Sequence, residues 1–255
     1  MAVYAVSDLH GYMDVFLRGL EEIGFGDDDQ LYVIGDAIDR GPDGIELLQY
    51  IKDHENMDLL IGNHEDMMLG YVHPDGLPDH RAYVGDSDRW FSHHNGGDVT
   101  FSRYLELTDD ERRELLNWLN GRELIKVISV GDKQFCLTHS YYQEEAVGKT
   151  YNEVDLKTAF DIVNKSIFGE GAERGNDLVF YYNPQYTFIT GHRPVQYVRR
   201  NIDHDPDPNR LEPYVLENFY DIDGWCAYGK DECGELQNGA IFLRLDDMKV
   251  FPVRL

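Results

Sequence analysis

The sequence predicts an α/β protein whose chemistry gathers at the carboxyl edge of a parallel sheet. Two observations carry that expectation. Between Val3 and Gly62 short apolar runs alternate with helical patterns in the order βαβαβ. Each run then passes at once into polar residues, and the loops outside the carboxyl ends of parallel strands are where such folds bind ligands.

The first strand is VYAV, Val3 to Val6, followed by Asp8-Leu9-His10-Gly11. A helix is predicted from Met13 to Ile23, where Met13, Leu17 and Leu20, with Phe16 and Ile23, form an i, i+3, i+4, i+7 stripe able to cover one sheet face. LYVI, Leu31 to Ile34, is the second strand, and it runs into GDAIDRG, Gly35 to Gly41. A helix from Asp43 to Lys52 leads to DLLIG and then to Gly62-Asn63-His64-Glu65. The middle is less regular. It holds the polar run SHHNGGD and a helical pattern from Asp109 to Leu119, and it reads as a helical insertion near 71–120 flanking the site of a single domain, 1–255. Two later strand-like runs end in histidine: Phe135 to Thr138 before His139, and Thr187 to Thr190 before Gly191-His192. NIDHDPDPNRLEP reads as a surface loop. It has a faint likeness to a calcium loop, which carries little weight because Pro208 and Tyr214 stand where glycine and glutamate are expected. From Trp225 to Leu255 glycine-separated β patterns predict hairpins of a second sheet.

The 255 residues are 42% hydrophobic, enough for a sizeable core. A net charge of -25 works against nonspecific binding to nucleic acid or anionic membranes. No stretch is long and apolar enough to span a bilayer, and MAVYAVSD lacks the charged start of a secretion signal, so a soluble cytoplasmic protein is expected. Cys136, Cys226 and Cys233 match no zinc spacing and read as reduced thiols.

The strand-end residues Asp8, His10, Asp36, Asn63, His139 and His192 mix carboxylate, amide and imidazole. Such donors suit manganese, iron or zinc, whereas an all-oxygen set would favour magnesium or calcium. If one carboxylate bridges, they are about right for two ions ~3.5 to 4 Å apart, the arrangement that clamps an in-line phosphoryl displacement.

SDLHG, GDAIDRGPDG, GNHE, CLTHS and TGHRPV, in this order at strand ends, resemble the motifs of the phosphoprotein phosphatase family of metallophosphoesterases. HNGGDVTFSRY and the C-terminal hairpin extend the resemblance over nearly the whole chain. It is greatest to bacterial and phage serine/threonine phosphatases of the lambda phosphatase type, and next to symmetrical diadenosine tetraphosphate hydrolases. The resemblance implies a four-layer αββα sandwich of two mixed β-sheets flanked by helices. It implies two divalent ions, manganese foremost, with iron, zinc or nickel as alternatives. Asp8, His10 and Asp36 would hold the first ion, and Asp36, Asn63, His139 and His192 the second. His64 would be the general acid, Asp39 would hold its imidazole, and Arg40, with Asn63 and His64, would contact phosphate. Ser7 departs from the usual glycine, and Ser140-Tyr141-Tyr142 from small residues. The second phosphate-binding arginine has no match near DLVFYYNP, and Arg174 and Arg193 are the nearest candidates.

The implied activity is a metal-dependent phosphoric ester hydrolase acting by direct attack of metal-activated water. Its substrate would be a phosphorylated protein or peptide, or a small phosphoester. A symmetrical dinucleoside polyphosphate hydrolase is the alternative. A catalytically silent binding protein ranks below both, since all six ligand positions and His64 are intact. Neither a nucleic-acid nor a membrane partner is expected, and the oligomeric state is open. His54, His73, His80 and His204 read as exposed side chains, and His93 and His94 as surface residues near the site. Tyr141, Tyr142, Tyr181 and Tyr182 could stack on a nucleobase, with core packing or a pocket wall as the ordinary role.

Overall fold

The structure, a computed structural model, describes residues 1–72, 89–166, 183–226 and 237–255. Strands β1 (Val3–Val6), β2 (Gln30–Ile34) and β3 (Met57–Leu60) pair in parallel, with α1 (Met13–Ile23) and α2 (Gly44–Lys52) as the crossovers. Val6, Val33, Ile34, Leu59 and Leu60 are all buried, which explains apolar runs without alternation in a sheet covered on both faces.

The C-terminal hairpin, β9 (Gly239–Arg244) and β10 (Lys249–Arg254), joins this same sheet. Tyr4 pairs with Arg244 and Ala5 with Leu243, giving the order β10-β9-β1-β2-β3. The expectation of a hairpin in a second sheet is therefore corrected. Local alternation reports that a strand has a buried face, not which partner it finds. The hairpin also corrects the α1 stripe. Gly19 lies against the Phe242 ring, where a Cβ would collide, so the buried face centres on Val15, Phe16, Gly19 and Leu20, while Leu17 is 41% exposed.

The second sheet contains β4 (Ile125–Val130), β5 (Lys133–Thr138), β6 (Thr187–Thr190), β7 (Tyr214–Leu216) and β8 (Phe219–Asp221), in the order β4-β5-β6-β8-β7. β5, β6 and β8 are parallel, with β4 and β7 antiparallel at the edges. The architecture is thus two mixed five-stranded sheets flanked by helices.

Between the sheets in sequence come α3 (Asn63–Tyr71), α4 (Gly97–Glu106) and α5 (Asp109–Asn120). α5 starts where Thr108 and Glu111 form a capping box. Tyr71, Trp90, Phe91 and Phe101 cluster edge-on and tilted, tying the segment before α4 to the end of α3. α6 (Leu156–Asn164) is N-capped by Asp155 and packs against α3. The proline- and aspartate-rich segment starts within a helical turn, Arg199–Asp203, and becomes a loop only beyond it. Arg199 gathers that loop by donating to the carbonyls of Arg210, Glu212 and Pro213. Cys136 and Cys226 are buried free thiols. Among the described residues no helix is long and apolar enough to cross a membrane. His73, His80, Arg174, Tyr181, Tyr182 and Cys233 lie outside the described residues.

Candidate metal centre

The loops after β1, β2, β3, β6 and β8 open into one cleft of about 870 Å³, lined among others by Asp8, His10, Asp36, Asn63, His64, His192 and Asp223. His139, at the end of β5, is fully buried beside it. The strand-end residues predicted as ligands are therefore brought together.

Second contacts fix which imidazole nitrogen faces the centre. His10 Nδ1 donates to the Ile38 carbonyl at 3.0 Å, which leaves Nε2 as the acceptor on the centre's side, 3.8 Å from Asp36 Oδ2, 3.9 Å from Asp8 Oδ1 and accepting from Arg40 Nη1 at 2.6 Å. His139 Nδ1 donates to the Ile34 carbonyl at 2.9 Å, and Nε2 lies 3.4 Å from Asp36 Oδ1 and 3.0 Å from Asn63 Oδ1. His192 is bonded to the Asn164 carbonyl, and its Nδ1 lies 2.8 Å from Asn63 Oδ1. Lone pairs of nitrogen and oxygen thus converge, which is the donor chemistry of a cation site. Ligand atoms of Asp36, His139 and His192 fall within 4.8 Å of one another, as do those of His10, Asp36 and His64. Asp36 is common to both groups. The second group contains His64, to which the sequence reading gave no ligand role, in place of Asp8.

Burial raises the pKa of Asp36 well above its ordinary value, and the negative charges of Asp8 and Glu65 add to the shift. Asp8 is raised by burial too. Burial pushes His10 and His192 well down, aided by Arg40 at the first and His139 at the second. Neutral imidazoles beside carboxylates that resist lone charge form a site that bound dications would stabilise.

The loops reach this geometry through backbone that side chains ordinarily avoid. Asp8, His10, Asp36, Asp39, Arg40 and His192 all have positive φ, between 45° and 74°. Such conformations cost L-residues ~1 to 2 kcal/mol each and concentrate at functional sites. Glu65 holds the β2 loop at Asp36. Its carboxylate accepts from Gly62 N and Asp36 N, both at 2.9 Å, and from Ala37 N at 2.8 Å, binding the β2 loop to the start of α3. A Cβ at Gly62 would collide with the Asp36 carboxylate and one at Gly191 with Ser7 and Asp8. Ser7 Oγ sits between the Asp8 carboxylate and the Ile34 carbonyl. Sequence reasoning gave Glu65 no role, although Gly62-Asn63-His64-Glu65 has the cap-to-third-position spacing of a capping box.

His64 Nδ1 donates to Asp39 Oδ2 at 2.6 Å, and Trp90 Nε1 donates to the same oxygen at 2.8 Å. Burial opposes charge on either partner, pushing Asp39 up to about 7 and His64 down to about 3. The hydrogen bond from Trp90 favours ionised Asp39, the form that keeps the shared proton on His64, while Thr100 Oγ accepts from the Asp39 amide at 2.9 Å. Trp90→Phe should keep the aromatic packing and lose one hydrogen bond of ~1 kcal/mol, lowering turnover about fivefold. Unchanged metal content by elemental analysis, together with slower steady-state turnover, is the expected pair of results. Arg40 lines the cleft with its Nη1 2.6 Å from His10 Nε2, and Nε donates to the His94 carbonyl at 3.2 Å. The SHHNGGD run therefore positions Arg40. His93 and His94 are exposed at the cleft rim, as residues near the site were expected to be.

Other assignments change. Tyr142 packs edge-on against Phe188 and Tyr141 lies near Lys165, and neither lines the cleft; Tyr197 and Trp225 do. Arg193 lines it as expected, and Arg89 was not foreseen. Asp223, buried in the cleft after β8, was also missed, although DIDG repeats the strand-end acid signal seen after β1 and β2.

The sequence profile of the calcineurin-like phosphoesterases matches residues 1–227. The chain belongs to this family. For a calcineurin-like phosphoesterase the match is extensive, covering every loop that lines the cleft. The symmetrical bis(5'-nucleosyl)-tetraphosphatase of Buchnera aphidicola subsp. Acyrthosiphon pisum is 31% identical over 129 residues, 50% of this chain and 40% of the relative. The same enzyme of Salmonella paratyphi B is 30% identical over 142 residues, 55% of this chain and 43% of the relative. The chain thus covers well under two thirds of the curated relatives it matches. Among solved structures, a metallophosphoesterase from Sphaerobacter thermophilus superposes with a TM-score of 0.51 at 15% identity, covering 100% of this chain and 88% of the other. That likeness supports the fold alone.

Proposed function

We propose that the protein is a dinuclear metal-dependent hydrolase of dinucleoside polyphosphates that cuts the phosphate chain symmetrically. The observation that carries the hydrolase reading is the convergence of lone pairs on Asp36 beside the His64–Asp39 couple. The substrate reading draws on relatives that are symmetrical tetraphosphatases, and it replaces the phosphoserine or phosphothreonine substrate expected from the motifs.

Asp8, His10 and Asp36 would hold one ion, and Asp36, Asn63, His139 and His192 the other. Two ions bound there would supply Lewis acidity and a water acidified toward neutrality. The chain's own residues do the rest. Arg40, held by the His94 carbonyl, presents a planar guanidinium able to pair with two phosphate oxygens. Asn63 and His64 bring further polar atoms to the same phosphate. His64, with Asp39 behind its Nδ1, donates from Nε2 to the departing oxygen. Burial keeps the free imidazole neutral, so it takes up that proton as the phosphate anion binds beside it. Arg193, next to His192, lies at the cleft rim to receive more of the anion.

Product analysis tests the reading. Diadenosine tetraphosphate with manganese should give two ADP, and activity should vanish with chelator and return with manganese. Phosphate release from phosphopeptides with no cleavage of diadenosine tetraphosphate would restore the protein phosphatase reading.

A further inference from the structure

Arg89, Arg40 and Arg193 all line the cleft, and among the described residues none of them is paired with a carboxylate. This is unusual company in a chain with 48 acidic against 23 basic residues. Their supports are neutral. Arg89 Nη2 donates to the Asn164 side chain, and its guanidinium lies 4.9 Å from the centroid of the Phe160 ring. Arg193 lies 5.9 Å from the centroid of the Tyr197 ring. A ring face and an amide oxygen orient a guanidinium without neutralising it, so most of its donors stay available.

The three stand around one cleft. Arg40 contacts His10, Arg193 directly follows His192 in the chain, and Arg89, held by Asn164, lines the same cleft. A single phosphoryl group at the metal residues can occupy the fork of Arg40. Among the described residues it leaves Arg89 and Arg193 without an anionic partner. A chain of phosphates extending from that group supplies the missing anions.

We propose that Arg89 and Arg193 form a distal phosphate subsite that selects substrates carrying at least one phosphate beyond the group at the metals. This rests on the polyphosphate reading above and adds to it the residues that set chain length. Asn164 is the hub of the subsite: its side chain holds Arg89, and its carbonyl holds His192. A shift of the arginine would thus be felt at a ligand, so binding of the distal phosphate and order at the metal residues are linked through one residue.

The test uses manganese-loaded protein and two non-hydrolysable probes, methylphosphonate and methylenediphosphonate, titrated calorimetrically at the same free manganese. Wild type should bind the diphosphonate more tightly. Arg89→Gln and Arg193→Gln should each weaken it by roughly tenfold, the scale of one charge-assisted hydrogen bond, with a smaller change for methylphosphonate. Arg89→Lys should recover part of the loss, which a purely structural arginine would not require. Equal affinity of wild type for the two probes, or equal losses for both in the variants, would overturn the subsite. In parallel, KM for diadenosine tetraphosphate should rise more than kcat falls in Arg89→Gln. If that compound is not cleaved while the calorimetric pattern holds, the subsite stands and the dinucleotide reading fails.

Discussion

Asp36→Asn is expected to remove more activity than any other single ligand substitution, exceeding the ~10- to 100-fold loss typical of groups that only orient a ligand. Asp36 Oδ1 faces His139 Nε2 at 3.4 Å and accepts from the His64 amide at 3.0 Å, while Oδ2 faces His10 and His64, each at 3.8 Å. One carboxylate therefore serves both donor groups. An amide offers neither side negative charge, and its nitrogen would oppose either the His64 amide or the nitrogens around Oδ2. The loop itself should survive, because Glu65 holds the Asp36 backbone. Elemental analysis should find less than the full metal complement, with turnover lost in step. Two ions bound with near-normal turnover would remove Asp36 from the bridging role.

His64→Asn should slow hydrolysis of an alkyl phosphate by roughly 100-fold or more, the scale of general-acid loss. The effect should shrink for an aryl phosphate, whose leaving phenolate departs with little help, and for an anhydride, whose phosphate leaving group is also weakly basic. Asp39→Asn should follow the same trend more mildly, since Asp39 orients the ring and stabilises its charged form without donating the proton. The geometry makes metal content decisive here. His64 Nε2 lies among donor atoms shared with His10 and Asp36. Retention of both ions with a leaving-group-dependent loss supports the acid role. Loss of an ion, or equal slowing of all substrates, would make His64 a ligand instead.

The contrast between what the sequence revealed and what it hid follows the range of the interactions. β1, β2, β3, α1 and α2 are written in local apolar patterns, and the proposed ligands Asp8, His10, Asp36 and Asn63 sit just beyond those strands, so their positions could be read directly. Trp90 reaches Asp39 across 51 residues, and nothing near either residue announces the contact. Arg89 enters the cleft through Asn164 and Phe160, both supplied by α6. The Leu17 error has the same origin. The stripe was correct as a helical period, but its rotation was decided by Phe242 on a strand far along the chain. Glu65 is the exception, for its capping pattern was local and was passed over.

The position of the C-terminal hairpin has a consequence for the order in which this chain can be built. β1 carries Asp8 and His10 beyond its end, and its two neighbours are β2 and β9. During synthesis β2 emerges soon after β1, whereas Arg244 and Leu243, the partners of Tyr4 and Ala5, come much later. Until then a buried strand lies at an open edge with unpaired backbone groups, a state that invites pairing with other chains. Such long-range pairing also slows folding, because loop closure precedes its reward. A nascent chain can therefore possess every proposed ligand in order and still lack a settled catalytic edge, since the strand that bears the first two is clamped only when β9 arrives.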